Sequence, residues 1–476
     1  MAGPGPRSTR EGMSGMVESP LTPPSRGGRH NAPILLGNSR GLGRSRHSPA
    51  PEGDPARIIR SCPGRSPRPR SPCGSGRSLR KLRIGVNFRT ANLPAVDGNA
   101  VVMRSLCGAL ARACPEQKIE LFVDSAPRRA FEQSNVGFRV LRPFPAGNRA
   151  LARIAGGDPW YRFRLAVDPR WRSLNAFIGS AHEPVPWGGG PPRIAVVYDL
   201  AFMLPESEKY FPKSTVTHLD KWTSANVHTA AKVVAISATT AADIARIYGV
   251  PKSRIAVWCT AHDPSTFRPD IDGIRAAETL RRFGLERPYI LHVGTDQPRK
   301  NLPALLRAHK ILWDASGTGH RLVLVGAKGW ESSSRKQGES GQWDGVDRPT
   351  DVSTTVRCGP LPPAEVAQLM ACADVLVMAG FYEGFGLPAL EAMACGTPVV
   401  VARAGALPEV VGDAGAYFDP KSPEELAAVL GGLLSDERRR AEMRERGLRR
   451  AAEFTWEKHA EGLLAVVREV AGRADS

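Results

Sequence analysis

The sequence predicts an α/β protein with two Rossmann-like domains that face a cleft, preceded by a disordered N-terminal tail. From Leu82 onward, short apolar runs alternate with helical patterns, which is typical of parallel sheets covered by helices. This alternation occurs twice, and a linker rich in proline and aspartate, PSTFRPDID (264–272), separates the two series. The chain has 476 residues, 42% of them hydrophobic, which is enough for two domains with cores and a tail.

Residues 1–80 form the predicted tail. They contain 14 arginines, no lysine and four acidic residues, and so supply +10 of the net charge of +18. Their 13 prolines and 13 glycines leave too little apolar surface to offset chain entropy, which predicts disorder. Three interpretations stay open: a targeting segment, a basic tail that binds nucleic acid or lipid, and translation from an upstream start codon. The remaining residues are only mildly basic, so no nucleic-acid binding is expected from the folded domains.

Signals for several other protein classes are missing from the sequence. No run of 18 apolar residues occurs and no secretory signal is found, so no transmembrane helix is expected. The eight cysteines are scattered without a CxxC pair, which predicts neither a zinc site nor a disulfide framework. We therefore expect a cytoplasmic protein without a metal site, with reduced thiols.

The first predicted domain covers 81–270 and the second covers 271–455. Strands of the first are expected at RIGVNF (83–88), IELFVD (119–124), FRVLRPF (138–144), AFIGSA (176–181), RIAVVYDL (193–200), KVVAIS (232–237) and SRIAVW (253–258), with helices at about 101–112 and 214–230. Strands of the second are expected at RPYILHVG (287–294), HRLVLVG (320–326), TTVRCG (354–359), ADVLVMAG (373–380) and TPVVVA (397–402). A C-terminal helix within 456–476 is expected to pack back on the first domain. Because open α/β sheets bind ligands at strand carboxyl ends, an enzyme with its site in the cleft is the first hypothesis.

The stretch EGFGLPALE (383–391) places two glutamates on either side of a glycine-rich turn. The turn follows a buried strand, and Pro388 suits the first turn of a helix that Gly396 ends. The amides that would precede this helix lack intrahelical partners and lie at its positive end. They belong to Gly384, Phe385, Gly386 and Leu387, and they predict a phosphate site.

Other interpretations of this turn compete with a phosphate site for a sugar nucleotide. A dinucleotide fingerprint should leave its strand directly and open the first βαβ unit, whereas this turn lags its strand and comes late in its domain. A Walker loop would need Gly-Lys-Ser/Thr, which is missing. The glutamates could merely complement the helix dipole, an effect worth up to about 1 kcal/mol. A site where one carboxylate binds sugar hydroxyls, the other a ribose, and the amides a diphosphate explains all these residues together.

At this point the sequence resembles a known family. EGFGLPALEAMACGTPVV (383–400) and GALPEVVGDAGAYFDP (405–420) resemble the Glu-x7-Glu region of the retaining GT-B glycosyltransferases of family 4. HVGTDQPRKNLPALLRAH (292–309), LVGAKGW (324–330) and SATTAADIARIYGVPKSRIAV (237–257) extend the resemblance. It implies the GT-B fold, with an acceptor bound by the first domain and a nucleotide-diphosphate sugar, such as GDP-mannose or UDP-glucose, bound by the second. It implies neither a cofactor nor a metal.

The resemblance also implies roles for the motif residues. Glu391 would bind the ribose hydroxyls and Glu383 the donor sugar, while the amides of 384–387 would cradle phosphate and sugar. Lys300, assisted by Arg299, would offset the charge of the diphosphate as the bond to the sugar breaks. A purely structural alternative is that Arg299 and Lys300 are solvated, just ahead of a helix capped by Asn301.

Weaker implications concern the base and the first domain. Arg357 and Cys358 end a strand where the family's backbone meets the base. Gly98 and Asn99 stand in a thin glycine loop, where their amides would lie near the diphosphate.

The sequence departs from the family pattern at several positions. Thr295 replaces an arginine that many members carry, so Lys300 and Arg299 must contribute more. In VVYDLAF (196–202), Tyr198 stands where a histidine near the donor sugar is expected. Tyr198 could offer a backbone carbonyl or a hydroxyl, or simply complete a strand, but it is no cation near neutral pH. His182, at another strand end, is an alternative imidazole.

The resulting prediction is a retaining glycosyltransferase that moves a hexosyl group, mannosyl or glucosyl, to a saccharide or lipid-linked acceptor in glycan or polysaccharide biosynthesis. The alternatives are a non-catalytic nucleotide-sugar sensor or scaffold, and another GT-B enzyme such as a phosphorylase or epimerase. The stretch at 148–172 combines six arginines with aromatic residues, which suits an anionic membrane surface as well as a solvated helix. Peripheral contact with the inner face of a membrane is therefore a further expectation.

Overall fold

The computed structural model of the protein describes residues 81–92, 98–128, 130–143, 160–205, 207–317, 319–327 and 354–474. The predicted tail at 1–80 lies outside these residues, as does the first half of the arginine-rich stretch, up to residue 159.

Among the residues that the structure describes, seven parallel strands form the first sheet. They are β1 (Arg83–Asn87), β2 (Lys118–Val123), β3 (Val136–Val140), β4 (Ala176–Ser180), β5 (Arg193–Val197), β6 (Lys232–Ala235) and β7 (Ile255–Val257), in the order β3-β2-β1-β4-β5-β6-β7. In the described part of the second half, six parallel strands form the second sheet. They are β8 (Tyr289–Val293), β9 (Arg321–Val325), β10 (Thr355–Gly359), β11 (Val375–Met378), β12 (Val399–Ala402) and β13 (Ala416–Phe418), in the order β10-β9-β8-β11-β12-β13.

Helices connect and cover the strands. They are α1 (Gly98–Ala113), α2 (Leu165–Val167), α3 (Lys213–Thr229), α4 (Ala238–Tyr248), α5 (Gly273–Arg282), α6 (Leu302–Ser316), α7 (Pro363–Cys372), α8 (Leu387–Ala394), α9 (Leu407–Val411), α10 (Pro423–Leu434), α11 (Glu437–Ala451) and α12 (Trp456–Ala474). Among the described residues, no helix has both the length and the apolarity needed to cross a bilayer.

The central strands form because their apolar runs are buried on both faces. Every residue of β11 and of β12 is buried, and β8 is buried over its first four residues. Parallel strands covered by helices on both sides have this near-continuous apolar pattern. The sequence located the expected strands within a few residues, although β3 ends at Val140, short of the expected 144. The three-residue strand β13 was not predicted, because it is too short to show a periodic pattern.

Both sheets reverse their strand order at one place. In the first sheet the order changes direction between β1 and β4, and in the second between β8 and β11. The connections that leave two such neighbouring strands run to opposite faces of the sheet, which opens a crevice at the carboxyl ends of those strands. The loops after β8 and β11 therefore flank the crevice of the second sheet.

Within the described ranges, the chain crosses between the two sheets at two places. The linker after β7 leads into α5, and the segment between α11 and α12 brings the chain back, because α12 packs against α1, β4 and β5 of the first sheet. The rings of Trp258 and Trp456, one from each passage, lie 6.4 Å apart between centroids. Nζ of Lys232 also lies 2.9 Å from Oε1 of Glu469 in α12. We refer below to the part built on the first sheet, with α12, as the first lobe, and to the part built on the second sheet as the second lobe.

Candidate active site

Two loops meet at the crevice of the second sheet. The loop at 294–301 follows β8 and includes a short helical turn, Pro298–Lys300, while the loop at 379–386 follows β11 and leads into α8. The amide of Phe381 donates a hydrogen bond of 2.9 Å to the carbonyl of Arg299, so the backbones of the two loops are joined.

A buried ion pair joins the same loops through side chains. Nζ of Lys300 lies 2.6 Å from Oε1 and 2.8 Å from Oε2 of Glu383, and the two residues are only 9% and 6% exposed. Nη1 of Arg299 lies 3.5 Å from Oε2 of the same carboxylate. The interpretation of Lys300 as a solvated surface residue is therefore wrong, because Lys300 is buried against Glu383.

Burial and charge act in opposite directions on the Glu383 carboxyl. Burial alone would raise its pKa, but the charges of Lys300 and Arg299 outweigh burial and hold the pKa below its usual value. For Lys300, burial lowers the pKa and the negative charge of Glu383 opposes that shift. Removing one partner of such a buried pair leaves an uncompensated charge, which costs about 3–5 kcal/mol.

The amides of Gly384, Phe385, Gly386 and Leu387 precede the first hydrogen-bonded turn of α8. The carbonyl of Gly386 accepts hydrogen bonds from the amides of Ala389 and Leu390, which begins the helix. Within the described ranges, none of the four preceding amides donates to an acceptor of the protein. The ring of Phe385 packs edge-on against Phe454, at 5.8 Å between centroids, so Phe385 offers only its backbone. Free amides at the positive end of a helix are the donors that a phosphate needs.

Glu391 lies in the second turn of α8, in different surroundings from Glu383. Burial, together with the negative charge of Asp263 in the linker between the lobes, raises the pKa of Glu391 to about 7. Lys300 and Arg299 act on the pKa of Glu383 and not on that of Glu391. The two glutamates of the motif thus differ in charge state, with Glu383 ionised and Glu391 poised to lose its proton near neutral pH.

The loop after β5, in the first lobe, contacts the glycine turn that precedes α8. A Cβ atom added at Gly384 would lie 2.4 Å from the carbonyl oxygen of Tyr198 and 2.7 Å from Cβ of Asp199, so only glycine fits there. The ring of Tyr198 is buried in the main hydrophobic core, which leaves the carbonyl as the atom that meets the α8 turn. Asp199 was not singled out by sequence reasoning, although it follows a predicted strand, and its charge acts on Lys300.

The His182 side chain contacts Tyr198 and Thr223 of the first lobe. Its ring is tilted against the Tyr198 ring at 6.5 Å between centroids, and its Nδ1 lies 2.9 Å from Oγ1 of Thr223. Burial lowers the pKa of His182, against the opposing charge of Asp199, so the imidazole is neutral at neutral pH.

The remaining predicted residues lie on other elements, β10 and α1. Arg357 is exposed in the middle of β10, with Nη1 3.6 Å from Oδ2 of Asp296 in the loop after β8. Burial raises the pKa of Cys358 to about 11, with Arg282 opposing, so the thiol is protonated. Gly98 and Asn99 begin α1, and the residues just before them lie outside the described chain.

Two residues near the pair were missed or misjudged from sequence. His292, a lone imidazole in the apolar strand β8, is 4% exposed, and its Nδ1 lies 3.0 Å from the carbonyl of Val377. Asn301 does not cap α6 with its side chain, because its backbone is left-handed (φ 54°). Instead its Nδ2 donates to the carbonyls of Ala379 (3.1 Å) and Pro420 (2.7 Å), which ties the loop after β8 to the second sheet. In the part of the chain that the structure describes, no group of three or more His, Cys, Asp or Glu side chains could hold a metal ion.

Comparison with known proteins gives one family and several relatives. The model of the family "Glycosyl transferases group 1" matches residues 280–450. The O-antigen chain mannosyltransferase B of Escherichia coli is 33% identical over 266 residues, which span 56% of this chain and 67% of that protein. The D-inositol 3-phosphate glycosyltransferase of Thermobifida fusca is 32% identical over 342 residues, which span 69% of this chain and 74% of that protein.

Solved structures share the fold at low identity. The sucrose-phosphate synthase of Thermosynechococcus elongatus superposes with a TM-score of 0.64 at 19% identity, covering 83% of this chain and all of that one. WaaG, a glycosyltransferase involved in lipopolysaccharide biosynthesis, gives a TM-score of 0.61 at 16% identity, covering 82% of this chain and all of that one. The predicted fold class, two Rossmann-like α/β domains in the GT-B arrangement, is confirmed.

Stability should depend on pH through Glu391. The folded-state pKa of about 7 lies above the ordinary value of 4.5, so the folded chain binds more protons between these pH values. The free energy of unfolding of the wild type should therefore fall as pH rises from about 5 to about 7. The Glu391→Gln variant should lack this loss and be more stable than the wild type at pH 8. Urea unfolding at pH 5, 6, 7 and 8 measures the difference.

The matched control is Glu424→Gln, since the Glu424 side chain is 58% exposed at the start of α10. Its stability should follow the wild-type curve at each pH. Parallel curves for Glu391→Gln and the wild type would show that the Glu391 carboxyl is not perturbed by burial.

Proposed function

Because the chain belongs to the glycosyl transferases group 1 family, we propose that it is a retaining glycosyltransferase of family 4 that uses a nucleotide-diphosphate sugar as donor. It would move a hexosyl group to a saccharide or lipid-linked acceptor in glycan or polysaccharide biosynthesis. The expectation of an enzyme, a glycosyltransferase, is confirmed by the family and its relatives. The observation that carries the finer proposal is the buried Lys300–Glu383 pair beside the free amides at the start of α8.

The diphosphate of the donor fits the positive end of α8. The amides of 384–387 supply donors for phosphate oxygens. Lys300 lies beside them, because it is bonded to Glu383, the residue that directly precedes Gly384. Charge develops on the leaving phosphate as the bond to the sugar breaks, and a fixed cation in a buried site stabilises that charge. In this proposal Lys300 is a catalytic residue, with Arg299 in support, and no metal ion is needed.

The two glutamates of the motif would bind different parts of the donor. Glu383 is held in one orientation by Lys300, so its carboxylate can accept hydrogen bonds from sugar hydroxyls. Glu391 would bind the ribose hydroxyls, for which an ionised carboxylate is the better acceptor. Backbone amides near Gly98 and Asn99 and the strand end at Arg357 and Cys358 are proposed as secondary contacts to diphosphate and base.

Retention of configuration is proposed to follow front-face attack. The acceptor hydroxyl attacks the anomeric carbon on the side that the diphosphate leaves, and a phosphate oxygen accepts the hydroxyl proton, so no protein nucleophile is required. Tyr198 would contribute its backbone carbonyl, which points at the α8 turn, to the developing positive charge of the sugar.

The relatives favour particular donor sugars. The Escherichia coli relative is named a mannosyltransferase, and a structural neighbour from Anabaena, HepE, is described in complex with UDP and glucose (TM-score 0.60, 16% identity). These names support mannose or glucose as the transferred sugar here, with GDP-mannose and UDP-glucose as the donors to test first.

An exposed surface of the first lobe suits a cytoplasmic enzyme that touches an anionic membrane. Val167 is 70% and Trp187 56% exposed, and the Trp187 ring packs on Phe163 at 5.0 Å between centroids. Arg170 and Arg172 are exposed nearby in sequence. A combination of exposed apolar side chains and arginines is typical of proteins that lie on anionic lipid surfaces.

The wild type should bind and slowly hydrolyse one donor in a panel of sugar nucleotides. A donor at 100 times its Kd raises the free energy of unfolding by about 2.7 kcal/mol, which thermal shift detects. Donor hydrolysis is then followed by release of the nucleoside diphosphate. Binding without hydrolysis or transfer would favour a sensor, and no shift with any sugar nucleotide would contradict the proposed function.

Lys300→Ala and Glu391→Ala should change different kinetic parameters. Loss of the cation should lower kcat on the order of 100-fold with little change in donor affinity, because it acts on charge formed in the transition state. Loss of Glu391 should weaken donor binding roughly tenfold. Steady-state kinetics and calorimetry with the donor found in the panel measure both.

The Lys300→Ala/Glu383→Gln double variant is the control for folding, since it also removes the carboxylate that Lys300→Ala leaves unpaired. It should regain thermal stability but not turnover. Wild-type kinetics in both single variants would contradict the assigned roles.

Membrane contact should depend on Trp187. The wild type should sediment with vesicles that contain anionic lipid and less with neutral vesicles, and Trp187→Ala should weaken the association. Ile274→Ala removes an apolar side chain that is 76% exposed on the second lobe, and it should sediment like the wild type. Equal sedimentation of all three proteins would argue against this surface.

A further inference from the structure

The carboxylate of Glu409, in the second lobe, caps a helix of the first lobe. Oε1 accepts a hydrogen bond of 2.7 Å from the amide of Ala238, and Oε2 accepts one of 3.1 Å from the amide of Thr239. Oγ1 of Thr239 adds a third bond to Oε2, at 3.3 Å. The next amide, of Thr240, donates to the side chain of Ser237, the residue that precedes α4. The first turn of α4 is thus capped jointly by its own lobe and by Glu409.

Glu409 is held firmly by its own lobe. Arg450 of α11 donates from Nη2 to the carbonyl of Glu409 (2.7 Å) and from Nε to the carbonyl of Val410 (2.9 Å). A rigid backbone at Glu409 means that its carboxylate fixes the position of α4 relative to the second lobe. A negative charge at the start of a helix is also favourable in itself.

The same segment of the second lobe supports the loop that carries Glu383. The amide of Ala406 donates to the carbonyl of Glu383 over 2.9 Å. Gly405 has a left-handed backbone (φ 56°), and a Cβ there would lie 2.5 Å from that carbonyl oxygen, so the two backbones are in direct contact. A shift of the α9 segment would therefore shift Glu383.

The first lobe holds the residues on either side of Glu383. Phe381 stacks on Tyr210 with 6.0 Å between centroids, and the hydroxyl of Tyr382 donates to Oδ2 of Asp243 in α4 over 2.8 Å. Oγ1 of Thr240 donates to the carbonyl of Gly384 over 3.4 Å. The neighbours of Glu383 are thus bonded to α4, while the Glu383 carboxylate is bonded to Lys300.

We propose that Glu409 is a positioning residue that orients Glu383 and the amides of 384–387 by docking its carboxylate on the start of α4. This inference rests on the proposed function, because the groups that are positioned are the proposed sugar and phosphate ligands. The carboxylate of Glu409 bonds the start of α4 and is not one of the proposed sugar or phosphate ligands. Its loss removes no donor-binding group of the second lobe, but it leaves α4 joined to the loop that carries Glu383 through the weaker contacts of Tyr382 and Thr240.

The test compares Glu409→Gln with Glu424→Gln, since Glu424 is an exposed glutamate of the second lobe that pairs with Arg307 at the surface. Glutamine keeps the shape of the side chain, but it loses the charge and one of the two oxygens that accept the amides. We expect kcat to fall about tenfold, the loss expected for one charge-assisted hydrogen bond, while the Kd for the donor changes less than about twofold. Glu424→Gln should match the wild type in both parameters.

Hydrogen exchange gives a readout that does not depend on activity. In Glu409→Gln, exchange should speed up at the hydrogen-bonded amides of Ala238, Thr239 and Phe381, and not in the strands of either sheet. Tyr382→Phe, which removes the bond to Asp243, should speed exchange in the same loop. Faster exchange throughout the chain, or unchanged exchange at Ala238 and Thr239, would overturn the proposal, as would a higher Kd with unchanged kcat.

The exchange measurement also separates this inference from the proposed function. If the wild type turns over no sugar nucleotide, the proposed function fails, and the exchange pattern alone decides whether Glu409 holds α4 to the loop. If the wild type is active and the exchange pattern of Glu409→Gln equals that of the wild type, the positioning role fails while the proposed function stands.

Discussion

The buried ion pair between Lys300 and Glu383 is the interaction on which the site depends. Neither charge could stay in this position alone, because an unpaired ion loses its hydration without compensation. The pair therefore holds together the two loops that leave β8 and β11, and the backbone bond from Phe381 to Arg299 supports it. A cation and a carboxylate that compensate each other are also preorganised for a ligand that carries both phosphates and hydroxyls, because little reorganisation is needed when it binds.

The strand order of the second sheet places these two loops next to each other, at the crevice where the order reverses. Both sheets reverse direction beside their first strand, so each offers a crevice at the carboxyl ends of its strands. The second lobe fills its crevice with the ion pair and the start of α8. The first lobe brings the carbonyl of Tyr198 and the side chain of Asp199 to the same turn, and the contact is so close that Gly384 can carry no side chain. The site is thus built from one lobe and bounded by the other.

The sequence was most informative where a pattern is local. Long apolar runs predicted the central strands, and the spacing of Glu383 and Glu391 around a glycine turn predicted the start of α8. Contacts between distant segments left no such signal. Glu409 looks like any helical glutamate, His292 like an interruption of a strand, and Asn301 like a helix cap, although its left-handed backbone turns its side chain toward Ala379 and Pro420. Their roles depend on tertiary neighbours that no periodicity encodes.

The return of α12 to the first lobe limits how the two lobes can move. Had the lobes been joined by a single linker, each could swivel about it in any direction. Here two segments of the chain cross side by side, one at Trp258 and one at Trp456. Twisting or sliding of one lobe against the other would therefore strain these segments. Rotation about an axis through both crossings remains the softest motion. We therefore expect the two lobes to open and close about this axis, with Trp258 and Trp456 at the hinge.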